Sequence, residues 1–365
     1  MIPIYKPYLK NYKKSVVEAI DSEWISNYGI YVNNTENELK KVLNVKYCIL
    51  MNNGTATTHC LFLALKFRYP NINKIYVPNN VFVAPWNCVL MEYEKEKLEV
   101  MKMNPNTLNI DTSEEYIKSL DKNSCVLIVH NLGNIVNVPR LKRIRPDLIF
   151  VEDNCEGLFG KYENIYSGTS NASLCSSCSF YANKTLTTGE GGAFFTNDLD
   201  VYRYIKKIYS HGMTNERYIH KYLAYNYRMT NVQAAFLYDQ LKDVEHILNL
   251  KNKIFRFYDK LFEKYIQAGK IVKLKSEKDT IKASWMYCII IPKINYKNFE
   301  NYMNEKNIQT RPFFYDIRKH AHLKDIKVDQ NELENSKYGI MLPSFPELTR
   351  EQQIYIVNCV KEYFN

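Results

Sequence analysis

Short apolar runs recur at intervals along the first two-thirds of the chain. They are YCILM (47–51), KIYVP (74–78), KLEVMKM (97–103), CVLIVH (125–130), LIFVED (148–153), SSCSFYA (176–182) and GAFFTN (192–197). Stretches with apolar residues at helical spacing lie between them, such as TTHCLFLALKF and PWNCVLMEY, and LDVYRYIKKIY follows with Asp198 as its N-cap. Strands alternating with helices predict an α/β layer around a mainly parallel sheet. Near position 245 the pattern changes. A long amphipathic stretch, VEHILNLKNKIFRFYDKLFEKYIQ, leads into a strand (WMYCIIIP), a helix near 296–304, a second strand (IQTRPFF) and a last helix opened by a Thr349–Gln352 capping box. The expected organisation is a large domain over 1–245 and a smaller α+β domain over 246–365.

Composition narrows the class of protein. At 365 residues with 46% apolar content, the chain is long enough for a large and a smaller core. It has no apolar run long enough to span a bilayer, and its first residues lack the apolar segment of a secretory signal, so a cytoplasmic enzyme is expected with no membrane partner. Nine cysteines at irregular spacing, several inside apolar runs, predict buried free thiols. Cys175 and Cys178 form half a zinc motif, but no second pair supplies the four ligands that a structural zinc needs. The net charge of +10 is spread along the chain without a basic block or an interleaved basic and aromatic pattern. That argues against a nucleic-acid partner and for electrostatic attraction of small anions.

Four separated segments carry the chemistry. In MNNGTATTHCLFLAL a strand ends at Asn52-Asn53-Gly54 and a helix opens at Thr55, so free amides at the helix N-terminus form a phosphate seat, unless Thr55 is merely an N-cap. In LIFVEDNCEG a strand ends on Glu152-Asp153, at the end of an α/β sheet where ligands bind. One carboxylate there suits a ring nitrogen, and a metal or a helix cap are the rival roles. In SFYANKTLTTGEGGAFFTN a strand delivers Ser179 and a polar loop carries Lys184; GEGG is not a P-loop because no G-K-[ST] follows. In AYNYRMTNVQAAFLYDQL, Asn226 and Arg228 precede a helix that starts from Thr230. A Schiff-base lysine requires phosphate anchors and a carboxylate near it, and these segments offer both.

In this order the segments resemble the sugar aminotransferases of the DegT/DnrJ/EryC1/StrS family. WISNYGIYVNNTE, TRPFFY and LPSFPELTREQ extend the resemblance over nearly the whole chain, and FYANKTLTTGEGG with YNYRMTNVQAA is most similar to perosamine and viosamine synthases. The resemblance implies the aspartate aminotransferase-like fold type I of pyridoxal-phosphate-dependent transferases, with a mainly parallel seven-stranded sheet in the large domain. It implies pyridoxal 5'-phosphate as cofactor, held by Lys184 as an internal aldimine, with Asp153 at the pyridine nitrogen. Glu156, where many relatives have Gln, would approach the ring hydroxyl. Gly54, Thr55 and Ser179 would bind the phosphate and Phe82 would stack on the ring. Asn226 would reach the cofactor of the neighbouring subunit, which makes a homodimer part of the site. The implied reaction moves an amino group from L-glutamate to carbon four of a nucleotide-linked 4-keto-6-deoxyhexose. The alternatives are amination at carbon three, or a sugar dehydratase that transfers no nitrogen; such dehydratases have histidine in place of the lysine. The loop after TRPFFY departs from the family pattern, in which a Pro and then a His commonly follow; His320 is either the displaced equivalent or a surface histidine, and His211 is either a substrate neighbour or structural.

Overall fold

A computed structural model describes residues 1–9 and 12–364. The apolar runs form β1 (Tyr47–Met51), β2 (Ile75–Val77), β3 (Leu98–Val100), β4 (Cys125–Val129) and β5 (Ile149–Asp153). After the two-residue strands β6 (Lys161–Tyr162) and β7 (Ile165–Tyr166) come β8 (Cys175–Ser179) and β9 (Gly192–Thr196). Seven of these build one sheet in the order β1-β9-β8-β5-β4-β2-β3. β9 runs antiparallel to both its neighbours, whereas β2, β3, β4, β5 and β8 pair in parallel. Two antiparallel pairings in succession leave β1 pointing the same way as β8. Six C-terminal strand ends therefore share one edge, the edge where open α/β sheets place ligands.

The helix Gly54–Arg68 crosses this sheet with ten consecutive residues, Ala56–Leu65, buried. Its apolar positions therefore do not mark one stripe. It is enclosed between the sheet and the neighbouring helix Ala84–Glu92, and an all-round apolar surface suits such a place. Asn53, not Thr55, caps it, accepting from the Ala56 amide at 2.8 Å. Asp198 caps Leu199–Ile208 as the sequence predicts, and Thr230 opens Asn231–Lys242 with a capping box to Gln233.

The second unit begins with the 24-residue helix Val244–Gln267. The proposed division at 245/246 falls inside the first turn of this unbroken helix. β10 (Thr280–Ile281) returns to pair with β6, while β11 (Tyr287–Ile290), β12 (Arg311–Pro312) and β13 (Gly339–Leu342) form an antiparallel sheet in the order β11-β13-β12. β13 was not among the predicted strands. Its four residues lie buried at the centre of the small sheet, too short to show a period in the sequence. The Thr349–Gln352 capping box opens Arg350–Glu362, which packs on the long helix.

All nine cysteines are free thiols. Cys175 and Cys178 sit three positions apart on β8 and belong to apolar cores on opposite sides of the sheet, so they do not converge on one point. Among the described residues, no helix is long and apolar enough to cross a membrane.

Candidate active site

The shared edge of the sheet collects the turns that follow β1, β2, β4, β5 and β8. At the end of β1, the amides of Gly54 and Thr55 have no partner among the described residues, as expected for the first turn of a helix. Gly54 stands so close to Ser179 that a Cβ on it would lie 2.7 Å from the Ser179 Cβ and 2.9 Å from its hydroxyl. Two open amides and the Ser179 hydroxyl thus converge, at the positive end of a 15-residue helix.

The acidic pair ending β5 splits because successive strand residues face opposite sides. Glu152 faces the side of the sheet that carries His130 and Tyr162. Its carboxylate accepts from His130 Nε2 (2.9 Å), the Tyr162 hydroxyl (3.1 Å), the Gly168 amide (2.9 Å) and the Ser173 hydroxyl. The Val136 amide donates to His130 Nδ1, so Nε2 carries the ring proton toward Glu152. Glu152 is a structural hub, and a paired metal handle is not built. Asp153 faces the other way and accepts from the Thr58 hydroxyl (3.2 Å) and the Cys155 amide (3.0 Å).

Glu156 is buried and accepts from the Leu132 amide at 2.8 Å. Burial pushes its carboxyl up to about 7, against the charge of Lys184, which lowers it; Asp153 adds to the rise. Asp153 and Lys184 act with opposite sign on the buried thiols of Cys155 and Cys178 as well. The acid and the amine therefore share one neighbourhood. Lys184 is half-buried, and its Nζ stands 4.5 Å from the centroid of the Trp285 ring. Buried Oδ1 atoms of Asn52 and Asn183 lack protein partners beside these turns.

Phe82 is 55% exposed at the rim, with its ring 6.1 Å from that of Phe314. Asn226 is exposed too, and its carbonyl lies against the Asn52 side chain. The structure thus brings Gly54, Thr55, Asp153, Glu156, Ser179 and Lys184 together and sets Phe82 and Asn226 at the border. His211 lies exposed in a turn with a positive φ of 60°, and His320 packs edge-on against Trp86. Sequence reasoning missed Thr58 and Trp285. Thr58 is one of several polar residues in the first turns of its helix, with Thr55, Thr57 and His59, and nothing singles it out in the sequence; Trp285 comes from the second unit and only folding brings it to Lys184.

A family model described as the DegT/DnrJ/EryC1/StrS aminotransferase family matches residues 8–361. The GDP-perosamine synthase of Escherichia coli O157:H7 is 30% identical over 370 residues, covering 100% of this chain and 99% of that protein. The chain belongs to the DegT/DnrJ/EryC1/StrS aminotransferase family. Within this family, GDP-4-keto-6-deoxy-D-mannose 3-dehydratase of Escherichia coli O55:H7 is 25% identical, over 82% of the chain and 81% of the relative. Helicobacter pylori PseC, an aminotransferase involved in the biosynthesis of pseudoaminic acid, shares the fold with a TM-score of 0.86 at 23% identity, covering 99% of this chain and 98% of that one. The family, the fold class and the aminotransferase class read from the sequence are borne out.

Proposed function

We propose that the protein transfers an amino group from L-glutamate to carbon four of a nucleotide-linked 4-keto-6-deoxyhexose, giving a viosamine- or perosamine-type sugar nucleotide for glycan synthesis. The observation that carries this reading is a lysine, not a histidine, at position 184, sharing its surroundings with Asp153 and Glu156. Full-length similarity to a GDP-perosamine synthase supports amination at carbon four. The cofactor is pyridoxal 5'-phosphate, which supplies an aldehyde to take up the amino group and a ring to delocalise electrons.

The donor set fits that cofactor. The open amides of Gly54 and Thr55 and the Ser179 hydroxyl suit its phosphate. Asp153, buried and oriented by Thr58, holds a proton on the ring nitrogen. Glu156 would approach the ring hydroxyl, with burial holding its carboxyl above the ordinary range. Phe82 covers the ring from the rim with a flat apolar face. Asn226 of the partner subunit completes the phosphate site. A homodimer is further supported by Trp24, Tyr28, Ile30 and Leu223, large apolar side chains left exposed in the single chain. The Lys184 amine moves a proton at the α-carbon of glutamate in one half of the reaction and at carbon four of the sugar in the other.

The decisive experiment offers glutamate with GDP-, UDP- and dTDP-linked 4-keto-6-deoxyhexoses and identifies the product by mass and NMR. A 4-amino product is expected from one nucleotide series. Lys184→Ala should lower turnover by about a hundred- to ten-thousand-fold and abolish the visible absorbance of the bound cofactor. Loss of oxygen without gain of nitrogen identifies a dehydratase instead, and no turnover with any sugar overturns the assignment.

A further inference from the structure

We propose that Trp285 is a positioning residue for the Lys184 amine, held in place from the second unit by the buried Lys251. The inference rests on the role given to Lys184 above. Trp285 is 4% exposed and immediately precedes Met286 and β11. Its indole Nε1 donates to the carbonyl of Asn183, the residue before Lys184, at 3.1 Å. The face of the same ring lies under the Lys184 Nζ, 4.5 Å from its centroid. One side chain therefore fixes both the backbone of the lysine loop and the amine at the tip of its side chain.

Trp285 is anchored in turn. Lys251, on the helix Val244–Gln267, is buried, and its Nζ donates to the Trp285 carbonyl at 2.6 Å and the Ser344 carbonyl at 3.1 Å. No carboxylate pairs with Lys251 among the described residues, so its polar contacts are these two carbonyls. Asn183, Lys184, Lys251 and Ser344 line one cavity together with the N-terminal segment at Tyr5. The chain of contacts runs from the second unit through Trp285 to the reactive loop.

The physical sense lies in what holds Lys184 without trapping it. Among the described residues no salt bridge engages its Nζ, and its charge reaches Glu156 and the thiols of Cys155 and Cys178 only through the field. A direct ion pair would restrain the charged form strongly. An indole face attracts the ammonium, accepts no proton from it, and lets it leave without separating opposite charges. Trp285 thus gives the amine a resting place between the two halves of the reaction, at a fixed distance from its work.

The test compares Trp285→Leu, which loses ring and donor, with Trp285→Phe, which keeps a ring. In cofactor-free protein, the rate of Lys184 acetylation by acetic anhydride at one fixed pH is followed by mass spectrometry. The ring holds the amine, so acetylation should run roughly three-fold faster in Trp285→Leu and largely return to the parent rate in Trp285→Phe. In the reconstituted enzyme, Trp285→Leu should lower kcat roughly ten-fold while KM for both substrates stays within about two-fold. A reciprocal measurement leaves Trp285 intact: the tryptophan emission of the parent protein should differ from that of Lys184→Met at the same pH. An unchanged acetylation rate in folded Trp285→Leu overturns the proposal. If that variant does not fold, an emission spectrum identical in parent and Lys184→Met overturns it. Failure of the aminotransferase reading shows separately, as a parent protein that gains no visible absorbance with pyridoxal phosphate.

Discussion

Glu156 shows how one side chain records its surroundings. A carboxyl in water ionises near 4.5; burial at this position pushes it up to about 7, even with Lys184 pulling the other way. An acid whose folded pKa is raised favours folding while it is protonated. Its contribution is complete below the unfolded value and is lost as pH rises through about 7. Glu156→Gln removes that dependence and keeps an oxygen to accept from the Leu132 amide. In cofactor-free protein, thermal unfolding should therefore show the variant more stable than the parent above neutral pH, by on the order of 3 kcal/mol, with the gap closing toward acid. A gap that does not depend on pH would place the charge elsewhere.

Individual elements set the site through their ends. The helix Gly54–Arg68 has Asn53 as its cap, which leaves the amides of Gly54 and Thr55 open. A side chain at position 54 meets Ser179 at contact distances that real atoms do not tolerate. Gly54→Ala should weaken pyridoxal phosphate binding by about ten-fold or more, equivalent to ~1.4 kcal/mol, read from an absorbance titration. A Thr230→Ala control removes a cap far along the chain; it should cost about 1 kcal/mol of stability and leave cofactor affinity unchanged. If both variants lose affinity equally, the close approach at Gly54 has no special part.

At the scale of the whole molecule, two apolar surfaces of one chain are exposed. Trp24, Tyr28 and Ile30 near the start and Leu223 near Asn226 are exposed to an extent uncommon for such large apolar groups. The proposed homodimer covers them and brings Asn226 of the partner subunit to the cofactor. Sedimentation equilibrium should give about twice the chain mass of 43.1 kDa. Tyr28→Asp should shift the protein toward the monomer and lower cofactor affinity and turnover together. A monomeric parent with full activity would remove the shared site from the account.

The alternation of apolar runs with helical spacing determined the seven-stranded sheet, and the local caps at Asp198, Thr230 and Thr349 were legible from three or four adjacent letters, because those interactions close within one turn. The acid at 153 was legible as well, since it ends a strand, and the lysine at 184 through its company of phosphate anchors and a carboxylate in the other segments. Only the tertiary structure decided that Glu152 turns from the site while Asp153 enters it, that the Gly54 helix is enclosed on all sides, and that Asn53 rather than Thr55 is its cap. It alone set Trp285, a hundred residues away, beneath the Lys184 amine. Local hydrogen bonding and period are written in neighbouring residues, whereas burial, field and ring contact depend on which distant segments the packed cores bring together.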